Sequence, residues 1–363
     1  MIHIFIGTKA QFIKMAPIMK ELDRRGIRYN FIDAGQHADL TGDLTRQFEL
    51  REPDVRLRPR RDNINTLGRA INWTTKSLTE IVFARSKIYQ RIFLGERGIC
   101  VIHGDTLTTL LSLLYAKRCG IKVAHIEAGL RSYDVLNPFP EEVIRLIAMR
   151  YSDVLFAPSD WGAENLRQMG YGGKTINVGG NTIADAIRYA LQSQQEQRRS
   201  ERPYVVATFH RVETIYSRSR MIKVSSVLER IANERQVFFI LHEPTRRQLT
   251  RFGLDKRLGQ HDSIQMLPLQ PYFTFVNLLA GADFIATDGG SIQEESYFLN
   301  VPCLIMRTKT ERIEGLGQNA VLAGFDEEKI DHFLQTFIAL RRTETADDLH
   351  PARKIVAHLL QVI

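Results

Sequence analysis

Cysteines and long apolar runs are scarce in this sequence. Its 363 residues include only three cysteines, Cys100, Cys119 and Cys303, which are odd in number and lack CxxC spacing. A disulfide framework or an all-cysteine zinc site is therefore disfavoured, and a reducing cytoplasmic compartment is expected. No apolar run approaches the roughly 20 residues of a membrane span, and the first residues do not resemble a signal peptide. We therefore expect a soluble protein without membrane insertion.

Positive charge is in modest excess. The chain has 49 Lys and Arg against 41 Asp and Glu, a formal charge of +8 with neutral histidines. This excess favours anionic partners such as nucleic acid, acidic lipid headgroups or a phosphorylated small molecule. Nucleic acid is disfavoured because no arginine-rich helix or aromatic RNA-binding motif is present. The length suits about two domains.

Short apolar runs alternate with segments of helical periodicity along the whole chain. Such runs are typical of buried parallel strands joined by crossover helices. We predict an α/β fold with two doubly wound, Rossmann-like domains facing a cleft, and a linker at Leu191–Pro203. The predicted strands are Ile2–Ile6, Tyr29–Ile32, Ile99–Ile102, Val123–Ile126, Val154–Ala157, Thr175–Val178, Tyr204–Ala207, Val237–Leu241, Ile264–Leu267, Phe284–Thr287 and Val301–Met306.

Three acidic side chains follow neighbouring predicted strands of the first half. Asp105 and Glu127 come after such strands, and Glu141 begins a helix after Pro140. If they converge in a desolvated cleft, these carboxyl groups could transfer protons at a weakly acidic carbon. Two ordinary alternatives stay open. Asp105 would then be a helix cap, and Glu141 and Arg145, four residues apart, would form a surface ion pair.

Lysines lie close to the turn after the first predicted strand. Lys9 is part of this turn, and Lys14 lies within the first two turns of the following helix. A helix N-terminus with nearby lysines can hold an anion. The alternative is a plain strand-to-helix turn with solvated lysines.

A glycine-rich turn in the second half predicts a diphosphate site. Residues 287–295 read TDGGSIQEE, in which backbone N–H groups and the helix dipole can hold phosphate and a following carboxylate can bind ribose hydroxyls. The turn is neither GxGxxG nor GxxxxGK[ST], which disfavours dinucleotide oxidoreductases and P-loop ATPases. A tight turn with solvated acids is the alternative. The residues singled out are Gly289, Gly290, Ser291 and either Glu294 or Glu295.

Three basic residues complete the candidate site residues of the second half. His210 and Arg211 end the first predicted strand of the second half, and Arg312 lies in the loop after another strand. Arg312 could reach a phosphate group. Taken singly, His210 could equally be a structural histidine and Arg312 a solvated surface residue.

Eight segments together resemble the UDP-N-acetylglucosamine 2-epimerase family. They occur in order from about residue 6 to residue 315, so that the resemblance covers nearly the whole chain. The segments are IKMAP at 13–17, GQH at 35–37, HGDT at 103–106, HIEAGLR at 125–131, PFPEE at 138–142, the pair His210–Arg211, DGGSIQEE at 288–295 and TERIEG at 310–315.

The resemblance implies a two-domain GT-B fold. Residues 1–190 would form the sugar-side domain and residues 191–345 the UDP-binding domain, with residues 346–363 as a helix crossing back to the first domain. It also implies a cytoplasmic homodimer that needs no metal and no cofactor and takes part in surface polysaccharide synthesis.

The same resemblance implies a reaction at C2 of the sugar. A base removes the C2 proton while UDP leaves by anti elimination, giving a 2-acetamidoglucal intermediate. Non-hydrolysing members, the type favoured here, add UDP back with the opposite C2 configuration, whereas hydrolysing members release the sugar. The implied acid and base residues are Asp105, Glu127 and Glu141, with His210 near the leaving diphosphate and Arg145 supporting the carboxylates. The implied substrate-binding residues are Lys9, Lys14, Arg145, Arg211, Gly289, Gly290, Ser291, Glu295 and Arg312.

Several positions depart from the family pattern. Where the family usually has Arg-Pro-Glu in the first turn, this chain has Lys9-Ala10-Gln11, and where it usually has Ser-Gly-Gly, this chain has Gly289-Gly290-Ser291. The residues after the His-Arg pair, Val212-Glu213-Thr214, also differ from the family pattern.

A regulatory UDP-sugar site of bacterial members would use Gln36, His37, Arg69 and His242. A hydrolysing epimerase, a GT-B glycosyltransferase and a catalytically silent nucleotide-sugar binding protein are the alternatives, since fold does not fix function.

Overall fold

The computed structural model divides the chain into two compact units. One contains residues 1–186 and 349–363 and the other residues 187–348. The division falls within the helix Ile183–Gln192, just before the predicted linker. The residues described are 1–35, 38–57, 79–81, 83–135, 139–193, 202–310, 312–342 and 349–363, with the backbone alone at 38–41.

The first unit contains a seven-stranded parallel sheet in the order β3-β2-β1-β4-β5-β6-β7. The strand order reverses between β1 and β4, a switch point of the kind at which α/β proteins bind ligands. The strands are β1 Ile2–Ile6, β2 Tyr29–Asp33, β3 Val55–Arg56, β4 Ile99–His103, β5 Lys122–Ile126, β6 Val154–Ala157 and β7 Thr175–Asn177.

The second unit repeats this arrangement with six parallel strands in the order β10-β9-β8-β11-β12-β13. Its switch point lies between β8 and β11. The strands are β8 Tyr204–Thr208, β9 Gln236–Leu241, β10 Ile264–Pro268, β11 Phe284–Thr287, β12 Cys303–Ile305 and β13 Ala320–Leu322.

Helices connect most of these strands and cover the sheets. Those of the first unit and its boundary are α1 Lys9–Arg24, α2 Ala38–Gln47, α3 Arg85–Arg91, α4 Leu107–Arg118, α5 Glu141–Tyr151, α6 Asp160–Gln168, α7 Ile183–Gln192 and, near the C-terminus, α15 Pro351–Val362. Those of the second unit are α8 Val212–Ile215, α9 Arg218–Ala232, α10 Glu243–Phe252, α11 Leu254–Leu258, α12 Tyr272–Ala280, α13 Gly290–Phe298 and α14 Glu327–Thr336.

Each strand of the second sheet contributes to two separate cores. Along β8, Val205 and Ala207 belong to one apolar cluster, whereas Tyr204 and Val206 belong to another. Successive side chains of a strand point to opposite faces, so both faces of the sheet are buried. Because both faces are buried, the strands appear in the sequence as continuous apolar runs. The predicted α/β class with two doubly wound sheets is confirmed.

All eleven predicted strands are present, with ends shifted by up to two residues. Two strands were missed, the two-residue β3 and the three-residue β13. Both lie at sheet edges. Such short segments form strands because a neighbour offers hydrogen bonds, which a local apolar pattern does not reveal.

The C-terminal helix α15 packs within the first unit, against α1. The backbone N–H of Ala352 donates to Asp185 at 2.8 Å, and Lys122 donates to the carbonyl of Val362 at 3.2 Å. The last residues of the chain thus belong to the same compact unit as the first.

A lysine caps the helix that carries two acids of the candidate site. Lys174 donates to the carbonyl oxygens of Met149, Arg150 and Ser152 at 2.9, 3.1 and 2.8 Å, at the C-terminus of α5. A cation there satisfies carbonyl groups without helical partners and interacts favourably with the helix dipole. These hydrogen bonds hold the C-terminal end of α5, whose first residue is Glu141.

Within the described ranges, no helix combines the length and apolar character needed to cross a membrane. The same residues contain no group of three or more His, Cys, Asp or Glu side chains arranged to hold a metal ion.

Candidate active site

Three turns of the first unit meet at the carboxyl edge of its sheet. They follow β1, β4 and β5, which are neighbours in the sheet. The turn after β4 carries Asp105, and the residue directly after β5 is Glu127. Parallel strands end at the same edge, so these two predicted acids lie there.

Glu127 is a buried carboxylate with a buried cation beside it. Its Oε1 lies 2.5 Å from Nζ of Lys14, and the two side chains are 8% and 5% exposed. The side-chain amide of Asn181 donates to the same oxygen at 2.6 Å. Nε2 of His103 lies 3.8 Å from Oε2. The buried position of Lys14 excludes a solvated lysine there.

The backbone at Glu127 is itself unusual. Its φ of 66° lies in the left-handed region, which non-glycine residues seldom adopt. Such backbone strain clusters at functional sites, where surrounding contacts hold it in place. Gly104 lies opposite, and a Cβ atom there would be 3.4 Å from Oε2 of Glu127.

Asp105 belongs to a second charged network. Oδ2 of Asp105 lies 2.5 Å from Nη2 of Arg145, whose Nη1 donates to Oε2 of Glu142 at 3.0 Å. Burial opposes the charge of Arg145, but Asp105 and Glu142 raise its pKa. Arg145 is buried, which excludes the surface ion pair, and Thr106 rather than Asp105 caps α4.

Glu142 is the central hydrogen-bond acceptor of this network, and the sequence analysis did not identify it. It is fully buried and accepts hydrogen bonds from Nε of Arg131 at 2.5 Å and from the backbone N–H of Ser132 at 3.1 Å. Although burial acts in the opposite direction, Arg131, Ser132 and Arg145 together lower the pKa of Glu142. The doubled Glu in the PFPEE segment is the signal that could have pointed to it.

Glu141 differs from the other acids. It begins α5 and is half-buried, and its Oε2 is buried without a hydrogen-bond partner among the described residues. Buried polar atoms are normally satisfied, so an oxygen in this state is available to a ligand.

In the second unit, Asp288 holds the segment that carries His210. The buried carboxylate of Asp288 accepts from the backbone N–H groups of His210 and Arg211 at 3.0 and 3.1 Å. Burial, and to a lesser extent Arg211, lowers the pKa of His210 to about 4. The ring stacks on His242 with centroids 4.6 Å apart. His210 is therefore neutral near pH 7.

The glycine-rich turn packs closely against His210. A Cβ atom on Gly289 would lie 2.7 Å from Cε1 of His210, closer than real contacts allow. The helix α13 begins at Gly290, and Ser291 is exposed at its first turn. The order Gly-Gly-Ser thus leaves room for the histidine ring and presents the hydroxyl to solvent.

The acids after this turn are buried, which excludes solvated side chains. Glu294 is fully buried, with its Oε1 3.3 Å from Nη1 of Arg312, and Glu295 is 4% exposed. Burial and the carboxylates of Glu295 and Glu294 raise the pKa of Tyr272 well above its usual value.

Gln293 connects the turn to the loop of Arg312, and sequence reasoning missed it as well. Its amide donates to the carbonyl oxygens of Arg312 and Glu314 at 3.2 and 2.8 Å. Its oxygen accepts from the hydroxyl of Thr310 at 2.8 Å. No local pattern distinguishes such a buried amide from a solvated one.

Of the remaining predicted residues, Lys9 is half-buried at the start of α1. His242 lies against His210 in the second unit. The other three predicted members of a regulatory site, Gln36, His37 and Arg69, lie outside the described residues.

The family profile described as UDP-N-acetylglucosamine 2-epimerase matches residues 20–357. The enzyme of that name from Methanococcus maripaludis is 32% identical, over 94% of this chain and 92% of the relative. A UDP-2,3-diacetamido-2,3-dideoxy-D-glucuronate 2-epimerase from Pseudomonas aeruginosa is 30% identical, over 85% of this chain and 84% of its own length.

A solved structure shows the same fold. The crystal structure of the Methanocaldococcus jannaschii UDP-GlcNAc 2-epimerase in complex with UDP-GlcNAc and UDP superimposes with a TM-score of 0.81. It is 28% identical, and the match covers 99% of each chain. Together with the profile match and the archaeal relative, it shows that this chain belongs to the UDP-N-acetylglucosamine 2-epimerase family, a family of sugar-nucleotide epimerases with the GT-B fold.

Proposed function

We propose that this protein interconverts UDP-GlcNAc and UDP-ManNAc, or a modified UDP-HexNAc, as a non-hydrolysing 2-epimerase. The observation that carries the proposal is the pair of carboxylates at one sheet edge, Glu127 beside Lys14 and Asp105 beside Arg145. Proton transfer at C2 of a sugar needs such positioned carboxyl groups. A glycosyltransferase using the same nucleotide would have no need for them.

The three acids would divide the proton transfers between them. Glu127 and Asp105 are held next to buried cations, which favours their charged forms and suits them as bases. Glu141 has a buried oxygen without a partner among the described residues, which leaves that oxygen available to the substrate. Inversion at C2 requires a proton to leave one face of the sugar and return to the other, so at least two groups must take part.

The second unit would bind and stabilise UDP. Backbone N–H groups at the start of α13 and the cations Arg211 and Arg312 would stabilise the charge on the leaving diphosphate. His210, neutral in the free protein, would donate a hydrogen bond or take up a proton as that charge develops. Glu295 would bind the ribose hydroxyls, and Lys9 and Lys14 of the first unit would contact the sugar.

The names of the relatives support a UDP-HexNAc as the substrate class. The Pseudomonas aeruginosa relative is named for a diacetamido glucuronate substrate, while other relatives are named for UDP-GlcNAc. The proposal includes a cytoplasmic homodimer that needs no metal or cofactor and supplies surface polysaccharide synthesis.

Proton NMR of UDP-GlcNAc with the protein in heavy water tests this function. Deuterium at C2 together with UDP-ManNAc is expected, because reversible elimination exchanges the C2 proton with solvent. Free ManNAc plus UDP would instead place the protein among hydrolysing epimerases. Binding of UDP without any exchange would overturn UDP-GlcNAc as the substrate and favour another sugar nucleotide or a transferase.

Replacing Gly289 by alanine should lower turnover about 10- to 100-fold and weaken UDP binding. The new Cβ would lie 2.7 Å from Cε1 of His210, so the ring must move, and misplacement of a reacting group by about 1 Å can cost about 100-fold. Steady-state kinetics and calorimetric UDP titration measure the effect.

Gly173→Ala is the matched control, because among the described residues no atom other than those of its chain neighbours and its own helical turn lies within 4 Å of the place its Cβ would take, and its φ is not left-handed. This substitution should leave turnover and UDP affinity unchanged. Wild-type turnover and UDP affinity in Gly289→Ala would show that the position of the His210 ring is unimportant.

A further inference from the structure

Asn181 makes hydrogen bonds in two directions, and one of them goes to the proposed base Glu127. It is 4% exposed and lies in the turn between β7 and α7. Its Nδ2 donates to Oε1 of Glu127 at 2.6 Å, and its Oδ1 accepts from the backbone N–H of Ile183 at 3.3 Å. Ile183 is the first residue of α7. One buried side chain thus joins the start of this helix to the candidate active site.

These partners determine which end of the amide points where. A backbone N–H can only donate, so the oxygen must face Ile183, and a carboxylate can only accept, so the nitrogen must face Glu127. The backbone carbonyl of Asn181 also accepts from the N–H of Ala184 at 3.0 Å, which satisfies another donor at the helix start. Aspartate at this position would still accept from α7 but would place a second negative charge against Glu127.

Oε1 of Glu127 receives two donors from separate parts of the chain. Nζ of Lys14, in α1, lies 2.5 Å from this oxygen, and Nδ2 of Asn181 lies 2.6 Å from it. A carboxylate oxygen has two lone pairs, so both lone pairs of Oε1 are engaged. These contacts hold a residue whose backbone lies in the left-handed region, and they stabilise its ionised form.

The other oxygen, Oε2, lies towards the turn after β4. It is 3.8 Å from Nε2 of His103, and a Cβ atom on Gly104 would lie 3.4 Å from it. The same turn carries Asp105, another proposed acid or base. Because both lone pairs of Oε1 are engaged, a proton that Glu127 takes from a substrate must bind to Oε2.

We propose that Asn181 is a positioning residue for Glu127, which holds Oε1 together with Lys14 so that Oε2 takes the C2 proton. The proposal rests on the proposed function, in which Glu127 is a base. In that step the C2–H bond breaks and an Oε2–H bond forms. The C–H electron pair becomes the second bond between C1 and C2, and UDP leaves with the electrons of its C1–O bond.

Asn181→Ser separates the two hydrogen bonds of this side chain. Serine is a favourable residue at a helix start and can still accept from α7, but its hydroxyl is one bond shorter and cannot reach Glu127. Without this donor the carboxylate binds a proton more readily, so the acidic limb of the kcat/KM profile should move about one unit to higher pH. On that limb kcat/KM should fall about 10-fold, and at higher pH the loss should be smaller. UDP affinity should stay unchanged, because UDP is assigned to the second unit.

Asn181→Asp tests the same contact with a side chain of nearly the same shape. It keeps an acceptor for Ile183 but brings a carboxylate oxygen against Oε1 of Glu127. Two carboxyl groups this close do not readily ionise together, so one of them keeps its proton to higher pH. The acidic limb should therefore move further than in Asn181→Ser.

Asn177→Asp is the matched control, because Asn177 makes the same pair of hydrogen bonds at the surface. Its Nδ2 donates to Oδ1 of Asp160 at 2.6 Å, and its Oδ1 accepts from the backbone N–H of Gly179 at 2.9 Å. Both side chains are exposed, and water screens charges there. The kcat/KM profile of Asn177→Asp should coincide with that of wild type.

A carbon-13 NMR titration of protein labelled at the glutamate carboxyl carbons measures the same contact without turnover. The signal that disappears in Glu127→Gln identifies Glu127. Its titration midpoint should lie at higher pH in Asn181→Ser than in wild type and should not move in Asn177→Asp. The charged and titratable groups near this carboxylate include Lys14, His103 and His125, which are the same in all these proteins.

The outcomes separate positioning from a structural role. A loss of kcat/KM that is equal at every pH, with an unmoved midpoint in Asn181→Ser, would overturn the proposal, as would an equal displacement in Asn177→Asp. If wild-type protein exchanges no deuterium at C2, the proposed function fails, whereas the carbon-13 midpoint still decides whether Asn181 holds Glu127. If Asn181→Asp does not fold, Asn181→Ser decides alone, since serine retains the acceptor for the helix start.

Discussion

Glu127→Gln is expected to abolish deuterium incorporation at C2 and to lower turnover by at least about a thousandfold. A positioned general base contributes about 100- to 10,000-fold, and the amide cannot accept the C2 proton. Since UDP is assigned to the second unit, UDP affinity should remain. Deuterium exchange by NMR and calorimetric titration with UDP measure the two quantities on the same sample.

The same substitution should also destabilise the fold. It removes the anion 2.5 Å from the buried Nζ of Lys14, and breaking a buried ion pair from one side costs about 3–5 kcal/mol. The double variant Lys14→Met/Glu127→Gln removes both charges and should recover part of the free energy of unfolding. It should not recover C2 exchange, which separates the loss of a base from the loss of stability.

Glu164→Gln is the matched control, because its carboxylate forms an exposed ion pair with Arg167 on α6. It should leave stability and turnover within experimental error of wild type, as expected of surface pairs. Wild-type exchange in Glu127→Gln would remove this residue from the acid and base group and shift the assignment to Asp105 and Glu141.

Acidification from pH 7 to pH 4 should lower the free energy of unfolding by several kcal/mol. Burial lowers the pKa of His3, His125 and His210 to about 4 each, against 6.5 for an unperturbed histidine. Between these values the unfolded chain binds more protons than the folded protein, so stability rises with pH in this window and is lost as pH falls.

His125 should make a large contribution because it is fully buried. A difference of 2.5 pKa units, from 6.5 to about 4, corresponds to about 3 kcal/mol by linkage. Its Nε2 donates to the carbonyl of Gly104, and Gln at this position can keep a donor there without titrating. Urea unfolding at several pH values should therefore show that His125→Gln loses less free energy of unfolding than wild type between pH 6.5 and pH 4.

His332→Gln, at an exposed position on α14, serves as the control and should follow the wild-type curve. Glu21, whose pKa is lowered to about 2 by Arg24 and Arg25, contributes below this window. A His125→Gln curve parallel to wild type from pH 6.5 to pH 4 would contradict a neutral buried histidine in the folded state.

Much of the fold could be predicted because its signals are local. Buried parallel strands require continuous apolar runs, and these runs located eleven of the strands. The edge strands Val55–Arg56 and Ala320–Leu322 escaped because pairing with a neighbour, rather than their composition, makes them strands. The turns that carry Asp105, Glu127 and His210 were predicted because each follows such a run directly.

The sequence by itself determined the α/β class, the strand ends that carry the predicted acids and, through the order of its motifs, the family. Only the tertiary structure decided which charges meet. It paired Lys14 with Glu127, 113 residues apart, and joined Arg145 to both Asp105 and Glu142. It also made Asn181 a link between Glu127 and the start of α7. The physical reason is that burial and partners depend on segments distant in the chain, whereas apolar periodicity and turn chemistry are properties of neighbouring residues.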